Sequence, residues 1–179
     1  IVRCLAEEGA YLAVIELSSA NAQKAVEELK AAGHRALAVV ADVADSAQSA
    51  SAIRNVLDAF GRIDILVNNV GGESRYYNER PGQPYSEEQE WDDTVRLNLR
   101  TTMIMCHAAA PLFVQQKGGK IVNIASIGGR APSAGGLSST GVGATFSPMM
   151  SYAVAKAGAI QFTRLLALQL AEHNINVNC

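Results

Sequence analysis

The chain has 179 residues, enough for one domain with a buried core. At 49% hydrophobic and 18% charged it has the composition of an ordinary globular protein, and a net charge of -2 gives no electrostatic basis for binding nucleic acid or an anionic membrane. Trp91 is the single tryptophan, too little for a base-stacking surface. No apolar run reaches membrane-span length and no basic n-region of a signal peptide occurs, so cytoplasm is the expected compartment. Cys4, Cys106 and Cys179 are far apart and odd in number, without CxxC or Cys/His spacing. Three reduced thiols are expected, with no metal and no disulfide.

Val2, Leu5 and Ala6 recur at helical spacing within Ile1–Gly9, and Gly9 supplies a stop. Tyr11–Glu16 reads as a buried strand ending in an acid. Asn21–Ala32 carries Ala25, Val26, Leu29 and Ala32 on one helical face, and Gly33 closes it. Ala36–Val40 is the next strand, followed by Asp42 and Val43. Asp45 then caps a helix with Gln48 in capping-box position, and Ile53, Val56, Leu57 and Phe60 form its core stripe up to Gly61.

Ile63–Val67 is a third apolar strand, running into Asn68-Asn69-Val70-Gly71-Gly72. A polar loop containing Arg75, Tyr76, Tyr77 and Arg80 follows. Ser86 is expected to open a helix that passes Trp91, Val95, Leu99 and Met103, kinked or divided at Pro111. Lys120–Ala125 is a strand with Ser126 at its end. Residues 127–148, rich in Gly, Ser and Pro, read as loop. From near Met149 a helix carries Tyr152, Lys156, Ile160, Leu165 and Leu168 towards His173. Apolar strands alternating with helices predict an α/β fold: a doubly wound parallel sheet, three layers deep, in a single domain over residues 1–179. The first residue falls inside a helical pattern and Ile175–Cys179 reads as a strand just starting, so the expected fold is incomplete at both ends.

Tyr152 and Lys156 are four residues apart, which stacks a phenol and an ammonium on one helix face. A free tyrosine titrates near 10, and a neighbouring cation favours its phenolate; a shift of roughly 3 units corresponds to about 4 kcal/mol. By itself the pair is a common surface pattern. Asn68–Gly71 and Ser126, however, end adjacent strands, and Asn98 lies in the helix between them. All map to the carboxyl edge of a parallel sheet, where such folds bind ligands.

In these residues the chain resembles the short-chain dehydrogenase/reductase family, in its compact single-domain branch. Asn68–Gly71 is similar to the family's Asn-Asn-Ala-Gly, with Val70 in the alanine place, and Asp42-Val43 to its adenine-contacting pair. Leu97-Asn98-Leu99 carries the helix asparagine, Ile121–Ser126 resembles the strand delivering the serine, and Tyr152–Lys156 resembles its YxxxK motif. The resemblance spans essentially the whole sequence.

That resemblance implies hydride exchange between a nicotinamide and a secondary alcohol or ketone, with Tyr152 as acid/base. Lys156 would tune the tyrosine and bind the nicotinamide ribose, Ser126 would hold the substrate oxygen, and Asn98 would anchor a water. Glu16, Asp42, Val43, Asn68 and Gly71 would line the cofactor. Glu16 at a strand end, followed by Leu17, favours NAD over NADP unless Arg3 or Arg35 reaches that pocket. The family's usual serine spacing nominates Ser139; the strand before Ser126 makes Ser126 the expected residue, with an insertion within 128–147 acting as lid or plain loop. The family's Gly-rich turn and C-terminal substrate segment are not found in the sequence. The resemblance also implies a small-molecule substrate and a homodimer or homotetramer. The competing readings are a 3-oxoacyl-thioester (acyl carrier protein) reductase and a non-catalytic or inactive dinucleotide-binding relative. His34 and His107 are expected to be structural.

Overall fold

The computed structural model describes residues 1–72, 87–131 and 148–179, divided between two compact units, Ile1–Asp64 and Ile65–Cys179. The first contains α1 (Val2–Glu7), β1 (Leu12–Glu16), α2 (Ser19–Ala31), β2 (Ala36–Val40) and α3 (Ser46–Phe60). β1 and β2 run parallel, with Leu12 opposite Ala36 and Glu16 opposite Val40, so α2 is the crossover that parallel pairing requires. Ala6, Leu12 and Leu29 form its core, flanked by Leu5, Ala10, Val14 and Ala36.

Helix α2 starts two residues before the apolar pattern does, because Ser18 Oγ accepts the Asn21 N–H at 3.3 Å. Asp45 caps α3 as expected, accepting the Gln48 N–H at 2.9 Å. The reciprocal half of the capping box does not form. Gln48 Oε1 accepts the Asp42 N–H at 3.0 Å, while the Asp45 N–H donates to the Asp42 carbonyl. Gln48 therefore stiffens the Asp42–Val43 turn instead of its own cap. Gly61 ends α3 at φ 77°, a left-handed conformation that suits glycine.

The second unit contains β3 (Ile65–Asn68), α4 (Glu87–Val95), a π turn (Arg96–Arg100), α5 (Thr101–Gln116), β4 (Gly119–Asn123), a 3-10 turn (Ile127–Gly129), α6 (Pro148–Leu170), a second 3-10 turn (Ala171–His173) and β5 (Ile175–Asn178). Its strands are all parallel in the order β3-β4-β5, with Asn68 opposite Asn123 and Gly119 opposite Ile175. Phe113, Ile121, Cys106, Ala109, Ala155 and Ala159 make the core between α5, α6 and the sheet. Pro111 does not divide the helix. It sits inside α5 on the exposed side of the helix. The irregularity falls instead on the π turn around Asn98. Ser86, the Arg75–Arg80 tract, Ser139 and most of the 128–147 insertion lie outside the described residues.

Candidate active site

β3 and β4 end side by side on two asparagines, and their side chains turn inward. Asn68 Nδ2 donates to Asn123 Oδ1 at 2.8 Å and to Cys106 Sγ at 3.3 Å; Asn123 Nδ2 donates to Thr163 Oγ1 at 2.9 Å. Thr163 in turn donates to the Ala159 carbonyl at 2.7 Å. This buried ladder crosses from β3 through β4 to α6, and every polar group in it has a partner. The Asn68 amide nitrogen is thus committed to the core. Asn123 and Thr163 were not singled out from the sequence; a polar residue in an otherwise apolar strand was the available signal.

Past Asn68 the backbone reaches Gly71 and Gly72. Asn98, fully buried, grips Gly72 twice: its Oδ1 accepts the Gly72 N–H at 2.9 Å and its Nδ2 donates to the Gly72 carbonyl at 2.8 Å. The same Nδ2 donates back to the Thr94 carbonyl in α4 at 3.0 Å. Lys156 arrives from α6 and is 4% exposed. Its Nζ donates to the Ile124 carbonyl at 2.9 Å and lies 5.8 Å from the centre of the Tyr152 ring. Burial pushes the lysine's pKa below its ordinary 10.5. Gly71 lies where these groups converge: a Cβ there would come within 2.7 Å of Asn98 Oδ1 and 2.9 Å of Lys156 Nζ.

Ser126 stands just beyond β4 and caps the short turn that follows, its Oγ accepting the Gly128 N–H at 3.3 Å. Gly129 in that turn rides on α6 so closely that a Cβ would meet the Lys156 carbonyl carbon and the Ala157 nitrogen at 2.7 Å. Ser126 is therefore held between two contacts to α6, through Ile124 on one side and Gly129 on the other. Asn98, Gly71 and Lys156 converge within the second unit, with Tyr152 a turn before Lys156 on α6 and Ser126 two residues past Ile124. Tyr152 itself is half-buried.

Glu16, Asp42 and Val43 belong to the first unit. Glu16 ends β1, and its Oε1 accepts the Ser18 N–H at 3.3 Å. Asp42 Oδ1 accepts the Ala44 N–H at 2.9 Å, and buried Val43 offers its carbonyl to Ser49 Oγ at 3.2 Å. Arg3 is paired with Glu28 at 2.8 Å, and Arg35 lies 4.1 Å over the Tyr11 ring. Tyr11 precedes β1 and Glu16 closes it, about 16 Å apart at strand rise. Among the described residues no helix is long and apolar enough to cross a membrane, and no cluster of His, Cys, Asp and Glu could hold a metal ion.

The chain belongs to the short chain dehydrogenase family, whose model matches residues 1–179. It is 37% identical over 175 residues to a (2S)-((R)-hydroxy(phenyl)methyl)succinyl-CoA dehydrogenase subunit of Thauera aromatica, covering 97% of this chain and 62% of that one. It is 35% identical over 176 residues to a 3-oxoacyl-(acyl-carrier-protein) reductase of Staphylococcus aureus, covering 97% of this chain and 64% of the relative. Among solved structures it resembles NAD+-bound xylitol dehydrogenase at a TM-score of 0.80 and 28% identity, covering 97% of this chain and 60% of the other. The chain thus spans about three fifths of the length of these relatives. The Rossmann-like α/β fold expected from the sequence is the fold these comparisons give; the matched family is one of dehydrogenases, and two of its solved members hold NADH or NAD+.

The residues present fit such a dinucleotide. An ammonium has three N–H donors and Ile124 occupies one, which leaves Lys156 able to bind sugar hydroxyls. Gly71 offers bare backbone beside it.

Proposed function

We propose that the protein interconverts a secondary alcohol and a ketone with NAD as its preferred cofactor, using Tyr152 to move the proton. The observation that carries this reading is the Lys156 ammonium, buried between the Ile124 carbonyl and the Tyr152 ring at the point where Asn98 and Gly71 converge. A lysine is rarely buried this deeply without a task. When bound, the nicotinamide supplies the hydride acceptor or donor. Tyr152 Oη takes the proton from the substrate hydroxyl, or returns it to the carbonyl oxygen in the reverse direction. Lys156 favours the phenolate electrostatically and holds ribose hydroxyls with its remaining donors. Ser126 Oγ hydrogen-bonds the substrate oxygen, and the Asn98 turn holds the backbone against which a water relays the proton.

Glu16 supports the choice of NAD, since a carboxylate accepts from ribose hydroxyls and repels a 2′-phosphate. Arg3 and Arg35, the cations that would reverse this preference, are engaged with Glu28 and Tyr11. The names of two relatives carry thioester handles, coenzyme A and acyl carrier protein, which supports a 3-oxoacyl thioester as the second substrate reading. Residues 1–179 serve as one dinucleotide-binding domain of a homo-oligomeric protein in this reading.

The test is turnover by the full-length protein on secondary alcohols and a 3-oxoacyl thioester, with NAD(H) and NADP(H), alongside Tyr152→Phe. We expect NAD-linked activity that falls by at least about a hundredfold in the variant, because the acid/base group is gone. Undiminished turnover in Tyr152→Phe would remove the mechanism and revive a role in dinucleotide binding alone.

A further inference from the structure

Immediately before Tyr152 stands Ser151, 1% exposed and the fourth residue of α6. Its Oγ lies 3.0 and 3.1 Å from the two carboxylate oxygens of Glu90. Glu90 also accepts from Thr94 Oγ1 at 2.6 Å, and Thr94 is likewise 1% exposed. Glu90, Thr94 and Asn98 follow at intervals of four along α4 and the π turn, so they share the helix face that meets α6. The Thr94 carbonyl accepts from Asn98 Nδ2, which grips Gly72. One chain of hydrogen bonds therefore runs from the residue beside Tyr152 to the residue that fixes the glycine backbone under Lys156. A carboxylate accepting from hydroxyls makes the strong class of hydrogen bond.

From this we infer that Glu90 is a positioning residue: through Ser151 it locks the first turns of α6 to α4, whose Thr94 is bonded to Asn98 in the π turn that follows, and so sets where Tyr152 points. This rests on the proposed role of Tyr152. Nothing in the composition of Glu87–Val95, a helix start with several acids, distinguishes Glu90 from the others. Only the approach of Ser151 does.

The experiment uses the full-length protein as wild type, Ser151→Ala, Glu90→Ala and Glu90→Gln. Turnover is measured with NAD on secondary alcohols, and the ring carbon bearing the hydroxyl of Tyr152 is followed by 13C NMR, assigned with Tyr152→Phe. Ser151→Ala and Glu90→Ala should lower kcat about tenfold with little change in KM, because a misaimed acid/base group slows chemistry without loosening the substrate. The Tyr152 resonance should move or broaden in both. Glu90→Gln keeps an oxygen acceptor for both hydroxyls and should restore kcat and the resonance towards wild type. Wild-type kcat and an unmoved resonance in Ser151→Ala would overturn the inference, and so would Glu90→Gln as impaired as Glu90→Ala. If Glu90→Ala does not fold, Ser151→Ala still decides. If wild type turns over no alcohol, the proposed function fails while the resonance still reports on positioning.

Discussion

Gly71→Ala is the smallest change that reaches the convergence of Lys156 and Asn98. The added methyl would lie 2.7 Å from Asn98 Oδ1 and 2.9 Å from Lys156 Nζ, whereas ordinary contact begins at 3.4 Å. Relief needs retreats of about 0.7 Å and about 0.5 Å, the differences between those distances and ordinary contact. A surface lysine would swing aside freely. Lys156 is buried with its ammonium on Ile124, and Asn98 is committed to Gly72 and Thr94, so each retreat stretches a hydrogen bond of 2.8 to 3.0 Å. Overpacking of this kind costs about 1–3 kcal/mol. A misplacement of that size at the reacting groups lowers kcat by about ten- to a hundredfold. Urea unfolding and NAD-linked turnover of the full-length protein measure the two effects. Gly61→Ala is the control, because its cost comes from φ 77° at a helix end, with no atom within 4 Å of the new methyl. It should lose stability of similar order, about 1 kcal/mol, and keep its turnover. If Gly71→Ala behaves like Gly61→Ala, or turns over like wild type, the convergence has no part in catalysis.

Lys156→Met tests the burial of the ammonium through pH. Because the folded pKa lies below 10.5, the unfolded chain binds more protons as pH rises from the folded value towards 10.5. Wild type should therefore gain stability relative to Lys156→Met across that window, and urea midpoints that stay parallel from neutral pH to pH about 10.5 would contradict it. Cys106 is pushed up to about 12, chiefly by burial, against the opposing pull of its hydrogen bonds with Asn68 and Asn123. A thiol-specific chromogenic reagent at neutral pH should titrate exposed Cys4 and Cys179 at once and reach Cys106 only on unfolding. Rapid reaction of all three would show that the buried ladder opens.

The elements of this fold were legible because hydrophobic period and turn residues report on local structure. Ala36–Val40 is a strand at the expected bounds, and the helix read from near Met149 is α6. Where the structure departs from the local reading, the surroundings of a side chain decide what its neighbours in sequence do not. Gln48 left its own cap for the Asp42 N–H, and the Asn68 side chain pairs with Asn123, 55 residues away. Pro111 carried a breaking signal that the exposed side of α5 absorbs. The π turn, by contrast, has no signature in Arg96–Arg100, since it answers to Asn98 reaching for Gly72 across 26 residues. Glu90 shows the same limit: its partner Ser151 is 61 residues on.

What makes a surface-looking helix pattern into a site is the way α6 is pinned. Ser151 is held by Glu90, Lys156 by the Ile124 carbonyl and by the close approach of Gly129, and Thr163 by Asn123. These pins fall on one face, with Ser151, Ala155, Ala159 and Thr163 at four-residue intervals and buried, while Val154, Ala157, Gln161 and Leu165 remain exposed. They lead to three different supports: α4, the segment just past β4, and β4 itself. A helix fixed at three heights can neither slide nor turn without breaking a buried bond. Tyr152 shares the pinned face near the start of the helix, half-buried, one residue from the first pin and a turn from the second. That is where a side chain must stand to be both aimed by the fold and open to a substrate.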